Sequence, residues 1–275
     1  MSHESTGVDD VVIEVEHLVK RYGSGPVVVD DVSFTVRRCS TTALVGESGA
    51  GKSTIGAILS GLASATSGRA VVCGEDRSVA ARSARDRRRR GGQLQLVPQD
   101  PYTTLDPSQR IGAALQEAVA LGGVPRAAQE ARVAELLDLV GLSESHARLV
   151  PRSLSGGQRQ RVAIARALAT SPEVLVLDEA VSALDVSVQA QVLNVLNRLQ
   201  RDLGTAYLFV THDLGVVRQV ADDVVVLRGG VIVEQGPVDR VLGAPQHEYT
   251  RLLLDSTPRP DWVPVSRSPQ QSTAP

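Results

Sequence analysis

The chain predicts an α/β fold built on a parallel sheet, and three stretches carry that prediction. Gly46-Glu47-Ser48-Gly49-Ala50-Gly51-Lys52-Ser53-Thr54 is a glycine-rich loop lying between the apolar run 42–45 and Ile55, Ile58, Leu59 and Leu62, which recur at helical spacing. Val174-Leu175-Val176-Leu177-Asp178-Glu179 is an unbroken aliphatic run ending in two acids, the pattern of a parallel strand buried on both faces. Residues 11–15, 27–29 and 32–36 are short β-type runs bounded by turns, which adds an antiparallel sheet beside the parallel one.

The glycine-rich loop has the spacing of a P-loop. Backbone N–H groups freed by such a turn and by the following helix start converge on one anion, and glycines allow the main chain to approach phosphate. Lys52 adds a point charge for the β- and γ-phosphates, and the Ser53 hydroxyl is a ligand for Mg²⁺. The chain is therefore expected to bind a nucleoside triphosphate.

Composition excludes several alternatives. A formal net charge of −2 gives no overall field favouring nucleic acid, which is not expected as a partner. The two cysteines, Cys39 and Cys73, lie far apart and lack metal-ligand spacing, so no disulfide framework, zinc site or iron–sulfur cluster is expected. No apolar run approaches the ~20 residues of a membrane span, and Met1-Ser2-His3-Glu4 does not open a signal peptide.

Residues 1–10 are polar and expected to fray. Tyr22 follows the first strand; it is either a strand-edge core residue or a ring on which a purine stacks. Residues 70–73 are expected as a strand with Cys73 in the core, and the basic run 85–90 as a solvated helix face. Residues 94–97 form another strand ahead of Pro98-Gln99-Asp100-Pro101. From 111 to 170 the composition turns helical, with Val133, Leu136, Leu137 and Val140 on one face and Gly141 as the stop. Ser155-Gly156-Gly157-Gln158 then opens a second helix start suited to an anion. Asp178, at the carboxyl end of its strand, is placed to hold Mg²⁺, and Glu179 to take a proton from attacking water.

Taken together, these stretches resemble the nucleotide-binding subunit of ATP-binding-cassette transporters over nearly the whole chain. Leu154-Ser155-Gly156-Gly157-Gln158 is similar to that family's signature motif, Gln99 to its Q-loop, Ser182-Ala183-Leu184-Asp185 to its D-loop and His212 to its switch histidine. Tyr22 falls where the family stacks an aromatic on adenine. The chain departs from the family pattern at Ala180-Val181 (commonly Pro-Thr), Cys39 (frequently Gly) and Pro98 (commonly an aromatic).

The resemblance implies a P-loop NTPase (RecA-like) core with an antiparallel β subdomain and an inserted helical subdomain. Its divisions are 1–98, β subdomain and P-loop core; 99–165, helical subdomain; 166–235, second part of the core; and 236–275, a tail whose end, 257–275, is poorly ordered. ATP and Mg²⁺ are the implied cofactors. Glu179, His212 and Gln99 are the implied catalytic group, with Ser53, Gln99 and Asp178 on the metal. Tyr22, residues 46–54, Ser155 to Gln158 and Asp185 contact nucleotide, the signature residues Ser155 to Gln158 in trans across a two-cassette sandwich. A carboxylate introduced at Gly157 is accordingly expected to block that sandwich while leaving ATP on Lys52 undisturbed.

Gln99-Asp100-Pro101 with Leu105-Asp106-Pro107, and the tail Pro245-Gln246-His247-Glu248-Tyr249-Thr250, resemble the peptide and nickel importer branch. His247 and Tyr249 are expected only to pack the tail. The implied setting is the cytoplasmic face of the cell membrane, peripheral to permease subunits, paired with a second cassette (a paralogue or a copy) and served indirectly by a solute-binding protein. The alternative is a non-transport cassette ATPase of a soluble complex, such as phosphonate degradation.

Overall fold

Alternating aliphatic residues near the N-terminus build the first sheet. In the computed structural model, which describes residues 10–256, β1 (Val11–Arg21) pairs antiparallel with β2 (Val27–Arg37). The runs 27–29 and 32–36, expected as separate strands, are one strand interrupted by a bulge. Asp31 there has φ 52°, and His17 opposite has φ 49°, their side chains 2.7 Å apart. The expectations for residues 1–9 and 257–275 lie outside the described residues.

β3 (Thr41–Val45) leads into the P-loop and α1 (Lys52–Leu59). α1 stops short of Leu62, which is 74% exposed and not on the helix's buried face as its spacing suggested. β4 (Ser67–Val72) and β5 (Glu75–Asp76) complete a four-stranded sheet ordered β2-β1-β4-β5. Cys73 ends outside β4, half-buried against the core, with φ 50°.

The basic run forms α2 (Ala84–Gln93), an exposed helix face as expected, with no buried residue; within it Arg89 and Arg90 also donate to the Glu75 carboxylate, and Arg88 donates to the Leu121 carbonyl. β6 (Leu94–Val97) follows. α3 (Ile111–Leu121), α4 (Gln129–Leu139) and α5 (Gly156–Leu168) form the helical layer, and α5 runs through the 165/166 division without a break. Gly141, with φ 71°, terminates α4 as its position predicts.

β7 (Val174–Asp178), α6 (Val186–Leu203), β8 (Ala206–Thr211), α7 (Leu214–Val220) and β9 (Asp223–Arg228) alternate strand with helix. β10 (Val231–Pro237) returns antiparallel through Gly229-Gly230, and α8 (Val238–Gly243) and α9 (Glu248–Ser256) close the described chain. The second sheet has the order β10-β9-β3-β8-β7-β6, with β6, β7, β8, β3 and β9 parallel.

Strand alternation divides the interior. Leu175, Leu177, Tyr207 and Phe209 face α3, α4, α5 and α6 in one continuous core. Val174, Val176, Leu208 and Val210 face the other way, onto α1 and the antiparallel sheet. Helical layer and sheet thus share one interior. Leu136 on α4 is fully buried there, so Leu136→Ala should lower unfolding free energy by about 2–5 kcal/mol in a denaturant titration.

Candidate functional site

Parallel strands deliver their following residues to one sheet edge, and four strands do so here. β3 ends at the P-loop, β6 just before Gln99, β7 at Asp178-Glu179 and β8 just before His212.

The P-loop glycines have physical reasons. Gly46 has φ 152°, and a Cβ there would lie 2.2 Å from the Leu227 carbonyl oxygen. Gly51 has φ 97°, and its Cβ would lie 2.6 Å from the Val28 oxygen. Any side chain would push the loop off β9 or β2. Lys52 is 5% exposed, and its ammonium donates to the carbonyl oxygens of Gly46 (2.6 Å) and Glu47 (2.8 Å). Burial pushes its pKa down, while Glu179, Asp178 and Glu47 pull it up. Two carbonyls hold a cation whose arm starts at the first residue of α1.

Ser53 donates to an Asp178 carboxylate oxygen at 3.2 Å. Burial raises the Asp178 pKa, opposed by the Ser53 bond and Lys52 and reinforced by Glu179. A half-buried carboxylate beside a hydroxyl is a hard-oxygen pair of the kind that takes Mg²⁺ together with phosphate oxygens and water. Among the described residues no cluster of three His, Cys, Asp or Glu side chains forms a metal cage. The donor set therefore fits an ion shared with a phosphorylated ligand.

Among the described residues, Glu179 is one of six non-glycine residues with positive φ (49°), a left-handed conformation that costs an L-residue about 1–2 kcal/mol. Its N–H donates to the Val210 oxygen at 2.9 Å, which ties the turn to β8. Its carboxylate lies 3.3 Å from His212 Nδ1. Gln99 donates to the Ser182 hydroxyl (3.2 Å), which donates to the Glu179 carbonyl oxygen (2.9 Å). Q-loop, D-loop and Glu179 are thus hydrogen-bonded in series; Ser182 is a link that sequence reading placed in the D-loop without giving it a role. Ala180 and Val181, in place of the usual Pro-Thr, are buried in the helical core.

Tyr22 follows β1 at the hairpin whose other strand carries Val28, the residue against Gly51. Its ring is 52% exposed, with the Lys20 ammonium 4.6 Å from the centroid. That makes it an exposed ring on a hairpin whose second strand abuts the P-loop.

The second helix start is well formed. Ser155 caps α5 by accepting from the Gln158 N–H at 3.3 Å, and the Gln158 side chain accepts from the Ser155 N–H at 2.9 Å, a reciprocal capping box. Ser155 is exposed and Gly156 half-exposed, but Gly157 is buried. A Cβ at Gly157 would lie 2.2 Å from Val188 Cγ1, so a side chain there enters α6 and not solvent. The expectation attached to a carboxylate at Gly157 is corrected on that ground. Asp185 caps α6, accepting from the Val188 N–H (3.0 Å) and Ser187 hydroxyl (2.8 Å).

Cys39, in place of the family's frequent glycine, has φ 56° and donates its thiol to the Gly204 carbonyl at 3.2 Å. Tyr249 departs from mere packing: its hydroxyl accepts from the Glu47 N–H at 3.1 Å. No local signal could have found that pair, because 202 residues separate its members.

Residues 29–182 match the ABC transporter family, and residues 233–272 match the oligopeptide/dipeptide transporter C-terminal region. A Brucella abortus (strain 2308) protein, provisionally named a peptide import ATP-binding protein, is 52% identical over 84% of this chain and 69% of its own length. The oligopeptide transport ATP-binding protein OppF of Bacillus subtilis (strain 168) is 41% identical over 91% of this chain and 83% of its own. OppD of Mycobacterium tuberculosis (strain H37Rv) is 45% identical, but the chain spans 43% of its length. Among solved structures, cbiO1 from Clostridium perfringens, part of the ABC transporter complex cbiONQ, superposes with a TM-score of 0.78 at 28% identity, covering 86% of this chain and 92% of that one. A dimeric post-hydrolysis state of the ATP-binding cassette MJ0796, bound to ADP and Pi, has a TM-score of 0.73 at 25% identity, covering 82% and 98%. With its P-loop, its paired acids and its capped signature helix in one α/β frame, this chain belongs to the ABC transporter family as an ATP-hydrolysing cassette.

Proposed function

We propose that the chain is the ATP-hydrolysing subunit of an importer for peptides or a related small solute. The observation that carries the ATPase chemistry is the meeting of Lys52, the Ser53–Asp178 pair and the Glu179–His212 pair at one sheet edge. Peptide import is favoured by the match of residues 233–272 and by relatives named for it. Both weigh against a soluble-complex cassette.

Lys52 leaves its two carbonyls to meet the β- and γ-phosphates, and the N–H groups of the P-loop and of Ser53 and Thr54 cradle the anion. Tyr22 stacks on adenine with the ring face away from Lys20. Ser53 and Asp178, with Gln99 as sensor, hold Mg²⁺, which when bound neutralises charge on the β- and γ-phosphoryl oxygens. Glu179 accepts a proton from the attacking water, and His212, whose Nδ1 faces Glu179, contacts the γ-phosphate. Ser155, Gly156, Gly157, Gln158 and Asp185 face the nucleotide held by a second cassette, a paralogue or a copy. Gln99, joined to Ser182 and placed at the entry to the helical layer, passes the nucleotide state toward permease subunits. The same frame divides at 1–98, 99–165, 166–235 and 236–275.

No helix among the described residues is long and apolar enough to cross a membrane. We accordingly place the chain peripherally, on the cytoplasmic face of the membrane, with an extracytoplasmic solute-binding protein acting through the permease. The test is ATP hydrolysis by the chain assembled with its membrane subunits in vesicles. Oligopeptide presented with the binding protein should stimulate turnover; stimulation by a non-peptide solute alone would move the substrate class. A native complex without membrane subunits would favour the soluble alternative. In the same assay Lys52→Ala should weaken ATP binding by about a hundredfold, the worth of ~2–3 kcal/mol of charged hydrogen bonds to phosphate.

A further inference from the structure

We propose that Tyr249, far away in the C-terminal segment, is a positioning residue of the nucleotide site. The proposal rests on the reading that the P-loop binds ATP through Lys52. Its basis is one peptide unit, the bond between Gly46 and Glu47, which is held at both ends. The N–H of Glu47 donates to the Tyr249 hydroxyl at 3.1 Å, and the carbonyl oxygen of Gly46 accepts from Lys52 at 2.6 Å. The next carbonyl, that of Glu47, takes the same ammonium at 2.8 Å.

The hydroxyl sits on a rigid support. Tyr249 is 3% exposed and belongs to the buried cluster that holds Val45 of β3, Val226 of β9 and Leu242 of α8. The Arg228 guanidinium lies 5.0 Å over the ring centroid, adding a cation–π contact beside Leu227, the residue against which Gly46 is pressed. The backbone leading into α9 is fixed too. The Glu234 carboxylate on β10 accepts from the N–H groups of Gln246 (2.9 Å) and His247 (3.1 Å), and His247 Nδ1 accepts from the Tyr249 N–H (3.1 Å).

The consequence concerns peptide orientation. With the Glu47 N–H held by Tyr249, the Gly46 carbonyl is directed at Lys52. Without that anchor the peptide is free to rotate in the glycine-rich turn, and a carbonyl turned toward an anion repels it. Tyr249 thereby keeps the empty loop in an anion-accepting state, and the tail bears directly on ATP affinity.

The experiment compares three full-length chains by calorimetric titration with Mg·ATP, by melting, and by amide exchange at Glu47. Tyr249→Phe keeps the ring and removes the hydroxyl; it should weaken ATP about fivefold, the yield of one lost hydrogen bond, while kcat at saturating ATP moves less than about twofold. Exchange at the Glu47 N–H in the nucleotide-free chain should rise about tenfold. Leu242→Ala loosens the same cluster but keeps the hydroxyl; it should lower the melting temperature and leave ATP affinity within about twofold. Unchanged ATP affinity in Tyr249→Phe, unchanged exchange at Glu47, or an equal loss of affinity in Leu242→Ala would each reduce Tyr249 to packing and overturn the proposal. Wild-type chain that binds no ATP would overturn the underlying nucleotide-site reading and this inference together, a result distinct from the other three.

Discussion

Glu179→Gln binds Mg·ATP as the wild type does and turns over about a hundred- to ten-thousandfold more slowly, the range expected when a general base is lost. The substitution keeps the side-chain volume and leaves the backbone unchanged, so the φ of 49° and the Glu179 N–H bond to Val210 are retained. It also leaves Lys52 and its two carbonyl partners in place, and with them the phosphate cradle. What disappears is a carboxylate 3.3 Å from His212 Nδ1, the group able to accept a proton from water. Rapid-mix single-turnover hydrolysis together with an equilibrium ATP titration separates the two effects. Wild-type turnover in the variant would place the base elsewhere; a large loss of affinity would mean that Glu179 holds the cradle together.

Gly156→Asp abolishes ATP-dependent pairing of cassettes while the isolated chain keeps its fold and its ATP affinity. A Cβ at Gly156 meets Leu184 Cδ2 at 3.5 Å and Arg159 Nη2 at 4.0 Å, both ordinary contacts. An acidic side chain in the first turn of α5 is favourable to the helix by about 0.3–1 kcal/mol, so the monomer gains stability if anything. Against the phosphate of an opposing nucleotide the same carboxylate is repelled, by ~4 kcal/mol for unit charges about 4 Å apart at an effective dielectric of 20, roughly a thousandfold in association. Light scattering with ATP in a Glu179→Gln background reads the dimer, and titration of the monomer reads the affinity. Persisting dimers would make the Ser155–Gln158 turn a helix cap alone, and lost monomer affinity would put both anion sites in cis. Gly157→Asp is the wrong probe, since its side chain would collide with Val188 and unfold the contact between α5 and α6 before any phosphate was met.

Local pattern was enough for the parallel strands β3, β6 and β7, the P-loop and the helix starts of α1 and α5, because each is written in contiguous residues, whereas β8 and β9 were not read from it. An aliphatic run such as 174–177 has only one comfortable place, inside a sheet covered on both faces, and Gly-Lys-Ser at a strand–helix junction has only one geometry. The helix start at Ser155 was equally local, and the structure adds that Ser155 and Gln158, three apart, close a capping box there. The arginine run shows where composition stops informing. Its charge pointed to solvent, where α2 does lie, but not to Glu75, which binds Arg89 and Arg90 from fourteen and fifteen residues away, on a strand of the other sheet.

The amino-acid sequence by itself determined the α/β class and the family, and it named the residues proposed for the nucleotide site. Only the tertiary structure decided which face of Gly157 meets α6, that Gln99 reaches Glu179 through Ser182, and that Tyr249 holds the Gly46–Glu47 peptide. The physical reason is range. Propensity, periodicity and capping act over a few residues and leave their mark in the local string, whereas a hydrogen bond across 202 residues depends on how whole layers pack and leaves no local mark.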